Sequence, residues 1–260
     1  MDLGLKDKVA LITGGSKGIG LHTAICLAKE GAKVAIVARN EEHLQKAAER
    51  ILQETGTEAL AISADVTQLE LCKMAVEKTV EKFGRLDILV NNAGTANAKP
   101  FEQVDEELWQ YDLDLKLHAA IRFSRFAVPH MRKAGGGAIV NVTASAAKTP
   151  SASSLPTSVS RAAGMALTKA MSRDLAADNI RVNTVCIGLI RSDQIEKMWR
   201  NNAPDLTWEE FSRDPRHDIP LGRIGETDEA ARVITFLVSD AASYVTGTSV
   251  NIDGGKAAAL

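Results

Sequence analysis

Seven short apolar runs recur along the chain, at Val9–Thr13, Val34–Val37, Ala59–Ser63, Ile88–Asn91, Ala138–Thr143, Arg181–Cys186 and Ser249–Ile252. Their length and their content of β-branched and apolar residues predict strands. Between them, apolar residues return at helical spacing, as in 104–131 and 157–177, two stretches that predict amphipathic helices. Strands alternating with helices call for parallel strands joined by right-handed crossovers. The expected fold class is therefore α/β: a doubly wound, seven-stranded parallel sheet with helices on both faces. Two segments break the alternation. Lys148 to Pro156, rich in Ser, Pro and Ala, reads as a loop, and Ser192 to Pro220, with two tryptophans and three prolines, reads as a small helical insertion after the sixth strand. Ligands of open α/β sheets bind beyond the carboxyl ends of the strands. Both segments leave from that edge, so 192–220 is expected to be a substrate lid within one domain spanning 1–260.

The first strand runs into Thr13-Gly14-Gly15-Ser16-Lys17-Gly18-Ile19-Gly20, followed by a helical pattern through Ala28. Glycines there let the backbone turn tightly and approach a pyrophosphate, which then rests at the positive end of a helix. A second strand follows at the spacing a βαβ unit requires, so the fold is Rossmann-type and Gly14, Ser16, Gly18, Ile19 and Gly20 are candidate nucleotide contacts. That second strand ends Val37-Ala38-Arg39-Asn40 with no acid to bind a ribose 2′-hydroxyl. Arg39, with Lys17 nearby, instead suits a 2′-phosphate, which favours NADP(H) over NAD(H).

Composition narrows the partners. A chain of 260 residues, 45% hydrophobic and 25% charged, can bury one large core. Its formal charge of −2 argues against nucleic acid or an anionic membrane as partner. No apolar stretch approaches the ~18 residues of a membrane span. No secretory signal is visible, and Cys26, Cys72 and Cys186 lack paired spacing, so reduced thiols in a cytoplasmic protein are expected. Five scattered histidines without a helical i, i+4 pair predict no metal site.

With these motifs in order, the chain resembles the short-chain dehydrogenase/reductase family over about residues 6 to 255. The glycine motif has that family's Thr-Gly-x-x-x-Gly-Ile-Gly form at Thr13 to Gly20. Asp65-Val66 resembles its adenine-binding pair, and Asn91-Asn92-Ala93-Gly94 its motif after the fourth strand. Ile187-Gly188-Leu189-Ile190-Arg191-Ser192 resembles the sixth-strand end, where Ser192 stands for the hydroxyl that contacts the nicotinamide amide. The resemblance implies cofactor roles for Asp65, Val66, Asn92, Ala93, Gly94, Gly188, Ile190 and Ser192, a small-molecule substrate, and a homodimer or homotetramer.

The same resemblance exposes a departure. The family's Asn-Ser-Tyr-Lys tetrad falls on Lys116, Ala144, Thr157 and Arg161, with Thr143 and Ser145 flanking Ala144. The chain's two tyrosines, Tyr111 and Tyr244, have no basic residue four positions on. A threonine is a far weaker acid than a tyrosine and cannot supply a proton near neutrality unaided. Arg161 stays protonated; it can bind ribose hydroxyls or stabilise negative charge but cannot shuttle a proton. Lys116 is then the candidate acid, its pKa lowered by desolvation or by Arg161. Against this, Lys116 could face solvent or an inter-subunit groove, Thr157 could cap the helix it starts, and Thr143 and Ser145 could be local caps. His118 reads as structural. The leading expectation is an NADP(H)-dependent oxidoreductase with an atypical active site. The alternatives are a non-catalytic NADP-binding sensor or partner subunit, and a non-redox lyase or dehydratase.

Overall fold

The computed structural model describes residues 2–260. Seven parallel strands form its sheet: β1 (Val9–Thr13), β2 (Lys33–Ala38), β3 (Leu60–Ser63), β4 (Ile88–Asn91), β5 (Gly137–Ala144), β6 (Ile180–Ile187) and β7 (Ser249–Ile252). Their order is β3-β2-β1-β4-β5-β6-β7, the doubly wound arrangement expected. β5 and β6 run beyond their expected ends because they pair over eight positions, from Gly137 opposite Ile180 to Ala144 opposite Ile187.

The inner strands are mostly apolar because they bury both faces, whereas the edge strands β3 and β7 are only partly buried. Along β1, Ala10 and Ile12 join one core cluster while Val9 and Leu11 join the other. The helices are α1 (Gly18–Lys29), α2 (Glu41–Thr55), α3 (Leu69–Phe83), α4 (Glu106–Leu113), α5 (Ala119–Lys133), α6 (Thr157–Asp174), α7 (Asp193–Asn202), α8 (Trp208–Ser212) and α9 (Thr227–Val238). Leu27 of α1, Leu44 of α2 and Ile234 of α9 fill the first cluster; Val76 of α3 and Phe123 of α5 fill the second. Each such fully buried side chain contributes about 1.5–3 kcal/mol of transfer free energy.

Two details differ from the sequence reading, and both lie near the strand ends. The single helix expected over 104–131 is α4 and α5 joined by a π turn at Asp114–His118. The expected loop over Lys148 to Pro156 ends in a short antiparallel ladder, in which Leu155 and Pro156 pair with Lys99 and Ala98. Backbone pairing this short leaves no periodic signal in a sequence. Among the described residues no helix is long and apolar enough to cross a membrane.

Candidate active site

A cleft of about 280 Å³ opens over the carboxyl ends of β1, β2 and β4. Of the residues expected to hold a cofactor, Gly14, Ser16, Lys17, Arg39, Val66, Ala93 and Gly94 line it. The glycine loop is held from below: Thr13 Oγ1 accepts the Asn92 and Ala93 backbone N–H groups at 3.0 Å each, and the Asn92 amide donates to the Thr13 and Gly14 carbonyls at 3.0 and 3.1 Å. Asn92 is therefore a strut of the loop. Gly14 has φ +65°, and a Cβ there would lie 2.8 Å from Asn92 Nδ2. At Gly20 an added Cβ would overlap the Gly14 carbonyl oxygen.

Above the loop the situation reverses. A Cβ on Gly18 would meet nothing within 4 Å. The α1 N-terminus has neither a side-chain cap nor an acidic residue in its first turn. Uncapped N–H groups and the dipole make such an end receptive to an anion. Arg39 is exposed at the tip of β2 and has no ion-pair partner among the described residues. These features fit a dinucleotide phosphate.

Other expected contacts are already engaged. Lys17 pairs with Asp193 of α7 at 3.0 Å. Asp65 Oδ1 accepts the Thr67 N–H and hydroxyl at 2.9 and 2.8 Å. Ser192 caps α7, accepting the Ile195 N–H at 3.4 Å. Gly188 packs so closely on Asp253 that a Cβ would come within 2.5 Å of Asp253 Cβ, and Ile190 is buried beside Gly225. His43, which the sequence reading passed over, also lines the cleft.

The other half of the site is built from side chains. Lys116 sits on the π turn, a rare local geometry that tends to mark functional positions. Its side chain is 1% exposed, and Nζ donates to Asp112 Oδ1 and, at 3.0 Å, to Thr157 Oγ1. The solvent-facing alternative for Lys116 is thereby overturned, because the i, i+4 partner Asp112 compensates its charge inside the protein. Asp112, 0% exposed, also accepts the Asn97 amide at 2.9 Å and the Ser160 hydroxyl at 2.6 Å. Desolvation lowers the Lys116 pKa to about 8, aided by the Arg161 charge and opposed by Asp112.

Thr157 begins α6, but its hydroxyl does not cap that helix. Oγ1 accepts the Asn97 backbone N–H at 2.9 Å as well as Lys116 Nζ. Arg161, one turn further on, donates from Nη1 to the Val142 carbonyl at 2.5 Å and lies against Gly94, where a Cβ would come within 2.5 Å of Nη2. Its Nε–H is buried with no partner among the described residues. Burial lowers its pKa to about 10, which leaves it a cation at neutral pH.

The two hydroxyls beside Ala144 diverge. Thr143 is buried, donates to the Val185 carbonyl at 3.1 Å and lies 3.3 Å from Cys186 Sγ, so it serves the sheet and cannot orient a substrate. Ser145 opens a 3₁₀ turn at the strand end, half-buried, with no side-chain partner among the described residues. His118 pairs with Asp114 at 3.0 Å, alongside Arg122, in the structural role expected.

Three residues of this constellation escaped the sequence reading: Asp112, Asn97 and Ser160. Asp112 lies four before Lys116 and Ser160 three after Thr157, so helical spacing carried a signal for both. Asn97 comes from an irregular segment and carried none.

The insertion after β6 holds α7 and α8. Its aromatic residues pack on one another: Trp199 meets Trp208 edge-on at 5.7 Å, Trp208 meets Phe211 at 6.0 Å, and Arg191 stacks over Trp208 at 4.5 Å. They form the lobe's own core. Its link to the cleft is polar, through Lys17–Asp193 and a hydrogen bond from Gln194 to Thr95.

Sheet order, glycine loop and cleft define an α/β protein of the doubly wound, Rossmann-like class. A family described as enoyl-(acyl carrier protein) reductase matches residues 14–257. The 3-oxoacyl-(acyl-carrier-protein) reductase FabG of Thermotoga maritima is 38% identical over 96% of this chain and 98% of its own length. The structure of L-sorbose reductase from Gluconobacter frateurii, complexed with NADPH and L-sorbose, is 36% identical with a TM-score of 0.95 and full coverage of both chains. A short chain oxidoreductase from Pseudomonas aeruginosa PAO1, NADPH-bound and described as containing an atypical catalytic center, is 34% identical with a TM-score of 0.92 over 97% of this chain and 98% of that one. The chain belongs to the short-chain dehydrogenase/reductase family of oxidoreductases.

Proposed function

We propose that this protein is an NADPH-dependent reductase of a small carbonyl compound, in which Thr157 and Lys116 together replace the usual tyrosine acid. One observation carries the reading. A threonine hydroxyl has two acceptor positions and one proton. Asn97 N–H and Lys116 Nζ fill both acceptor positions of Thr157 Oγ1. The hydroxyl proton has no acceptor among the described residues, so it is left for a substrate oxygen.

NADPH, when bound, supplies the hydride. The protein must supply the proton and stabilise charge on the substrate oxygen. Thr157 O–H donates to that oxygen; as negative charge develops, its proton passes across and Lys116 Nζ returns one to Oγ1. Thr157 ends unchanged and Lys116 ends neutral, to be reprotonated from solvent. An ammonium group with a pKa of about 8 is suited to this task near neutral pH. Arg161 adds a fixed cation beneath the site, which favours a developing alkoxide. Arg39, with no acid beside it, supports NADPH over NADH, and the two related structures named above were solved with NADPH. The insertion over 192–220 is read as the cover of the substrate side.

Titration calorimetry with NADPH and NADH, followed by absorbance at the reduced-nicotinamide band over a panel of ketoses, diketones and 3-oxoacyl thioesters, tests this reading. The expected result is tighter binding of NADPH and its oxidation with at least one carbonyl. NADPH binding without oxidation by any member would instead support a sensor or partner subunit.

A further inference from the structure

We propose that Asp112 is a positioning residue of this site, its carboxylate holding the Lys116 ammonium against the Thr157 hydroxyl. The proposal rests on the reading of Lys116 and Thr157 as the proton-delivering pair. Three donors converge on the carboxylate: Lys116 Nζ and the Asn97 amide at Oδ1, and the Ser160 hydroxyl at Oδ2. They come from the π turn, from the segment after β4 and from α6, so the carboxylate ties three parts of the fold together.

The arrangement closes on itself. Asn97 donates its amide to Asp112 and its backbone N–H to Thr157, while Lys116 donates to the same two residues. Asp112, Lys116, Thr157 and Asn97 thus form a ring of hydrogen bonds in which Thr157 is addressed from both sides. A long lysine side chain alone would sample several rotamers; two acceptors four residues and one helix apart leave it one. Burial sharpens the effect, because the pair is screened from water and an unpartnered ammonium there would lose its proton readily. The charges facing Lys116 are Asp112 on its own helix and Arg161 from α6; Asn97, Thr157 and Ser160 are neutral. Asp114 is turned away, engaged by His118 and Arg122. Removing Asp112's charge therefore leaves Arg161 unopposed beside Lys116.

The test combines Asp112→Asn with the milder Ser160→Ala, which removes the Oδ2 hydrogen bond and the Ser160 contact with the Thr157 carbonyl but leaves the carboxylate in place. The NMR shift of 13C-labelled Lys116 Cε across pH reports the titration midpoint of the buried amine without requiring turnover or reagent access. NADPH titration and thermal melting report folding. Asp112→Asn is expected to move the midpoint down by at least one pH unit, about tenfold in proton affinity, and to move the basic limb of kcat by the same amount at unchanged NADPH affinity. Ser160→Ala, which withdraws a donor but leaves the carboxylate charge beside Lys116, should move neither down by a comparable amount. A folded, NADPH-binding Asp112→Asn protein with an unchanged midpoint would overturn the proposal. Should that variant fail to fold, Asp112→Glu, which keeps the charge but displaces the carboxylate by one methylene, takes its place, and an unchanged midpoint together with an unchanged kcat there would overturn the proposal. If the wild-type protein reduces no carbonyl, the reductase reading fails while the midpoint still decides the role of Asp112.

Discussion

On the nucleotide side of the cleft, the surface is made by backbone: Gly14, Gly18 and Gly20 bring the chain close, and the N-terminus of α1 presents its N–H groups. Around Lys116 the arrangement is instead made by side chains gathered from the segment after β4, the π turn and the start of α6, most of them buried. The first is local, encoded within eight consecutive residues. The second exists only after three segments meet. The difference would explain how, on the reading proposed above, one half keeps the family's form while the other is built around the buried Lys116–Asp112 pair. Backbone recognition tolerates few substitutions at its glycines, whereas a hydrogen-bonded ring can be replaced wholesale if every member changes to suit.

The comparison breaks most sharply at Lys116. Lys116→Ala is expected to reduce kcat by about 10²–10⁴-fold, the usual range for a lost general acid, while NADPH affinity stays within about twofold. The same change strands the Asp112 carboxylate, and breaking a buried pair costs about 3–5 kcal/mol of stability. Adding Asp112→Asn should recover part of that stability and none of the turnover, as denaturant unfolding and steady-state assays would reveal. Gly20→Ala attacks the opposite half. Its Cβ has no room beside the Gly14 carbonyl and the Asn92 amide, and overpacking of about 1–3 kcal/mol should weaken NADPH by roughly 5- to 150-fold in calorimetry.

Smaller effects sharpen the picture. Arg39→Asp should weaken NADPH by roughly tenfold, since charge-assisted contacts are worth about 1.5–3 kcal/mol and exposure screens part of that; NADH should change little. Equal loss for both nucleotides would remove Arg39 from phosphate recognition. Asp193→Asn frees Lys17 from an exposed ion pair worth about 0.2–1 kcal/mol. NADPH affinity should rise by roughly 1.5- to 5-fold, and an unchanged or weaker affinity would mean that Lys17 does not reach the nucleotide.

The same division explains what the sequence made legible. All seven strands and the glycine loop were readable because their signals are local: apolar runs of strand length, and glycine where the chain must turn or be approached. Lys116 and Arg161 were singled out through the family resemblance, but the sequence left open whether Lys116 is buried or faces solvent; its burial beside Asp112 decides that. The direction of a hydroxyl was not legible either. Thr143 and Ser145 look alike as letters, yet Thr143 lies on β5, where its hydroxyl reaches the Val185 carbonyl of β6, while Ser145 has already left the strand. Asp112 and Ser160 stood at helical spacing from residues already singled out and passed unremarked. Asn97 acquires its role only when the turn after β4 lands beside α6. The aromatic residues of the insertion left two readings open, and their mutual packing selects the lobe's own core.

The most direct test of Lys116 as the proton source is the pH profile of kcat for NADPH-dependent reduction by the wild-type protein, using any carbonyl that turns over. Reduction needs the ammonium form, which is full below the Lys116 pKa and lost as pH rises through it. The rate should therefore hold at neutral pH and fall tenfold per unit above about pH 8, with the reverse oxidation rising over the same window. A reduction rate that stays level to pH 10 would contradict the assignment, because Lys116 would then be unprotonated while catalysis continued.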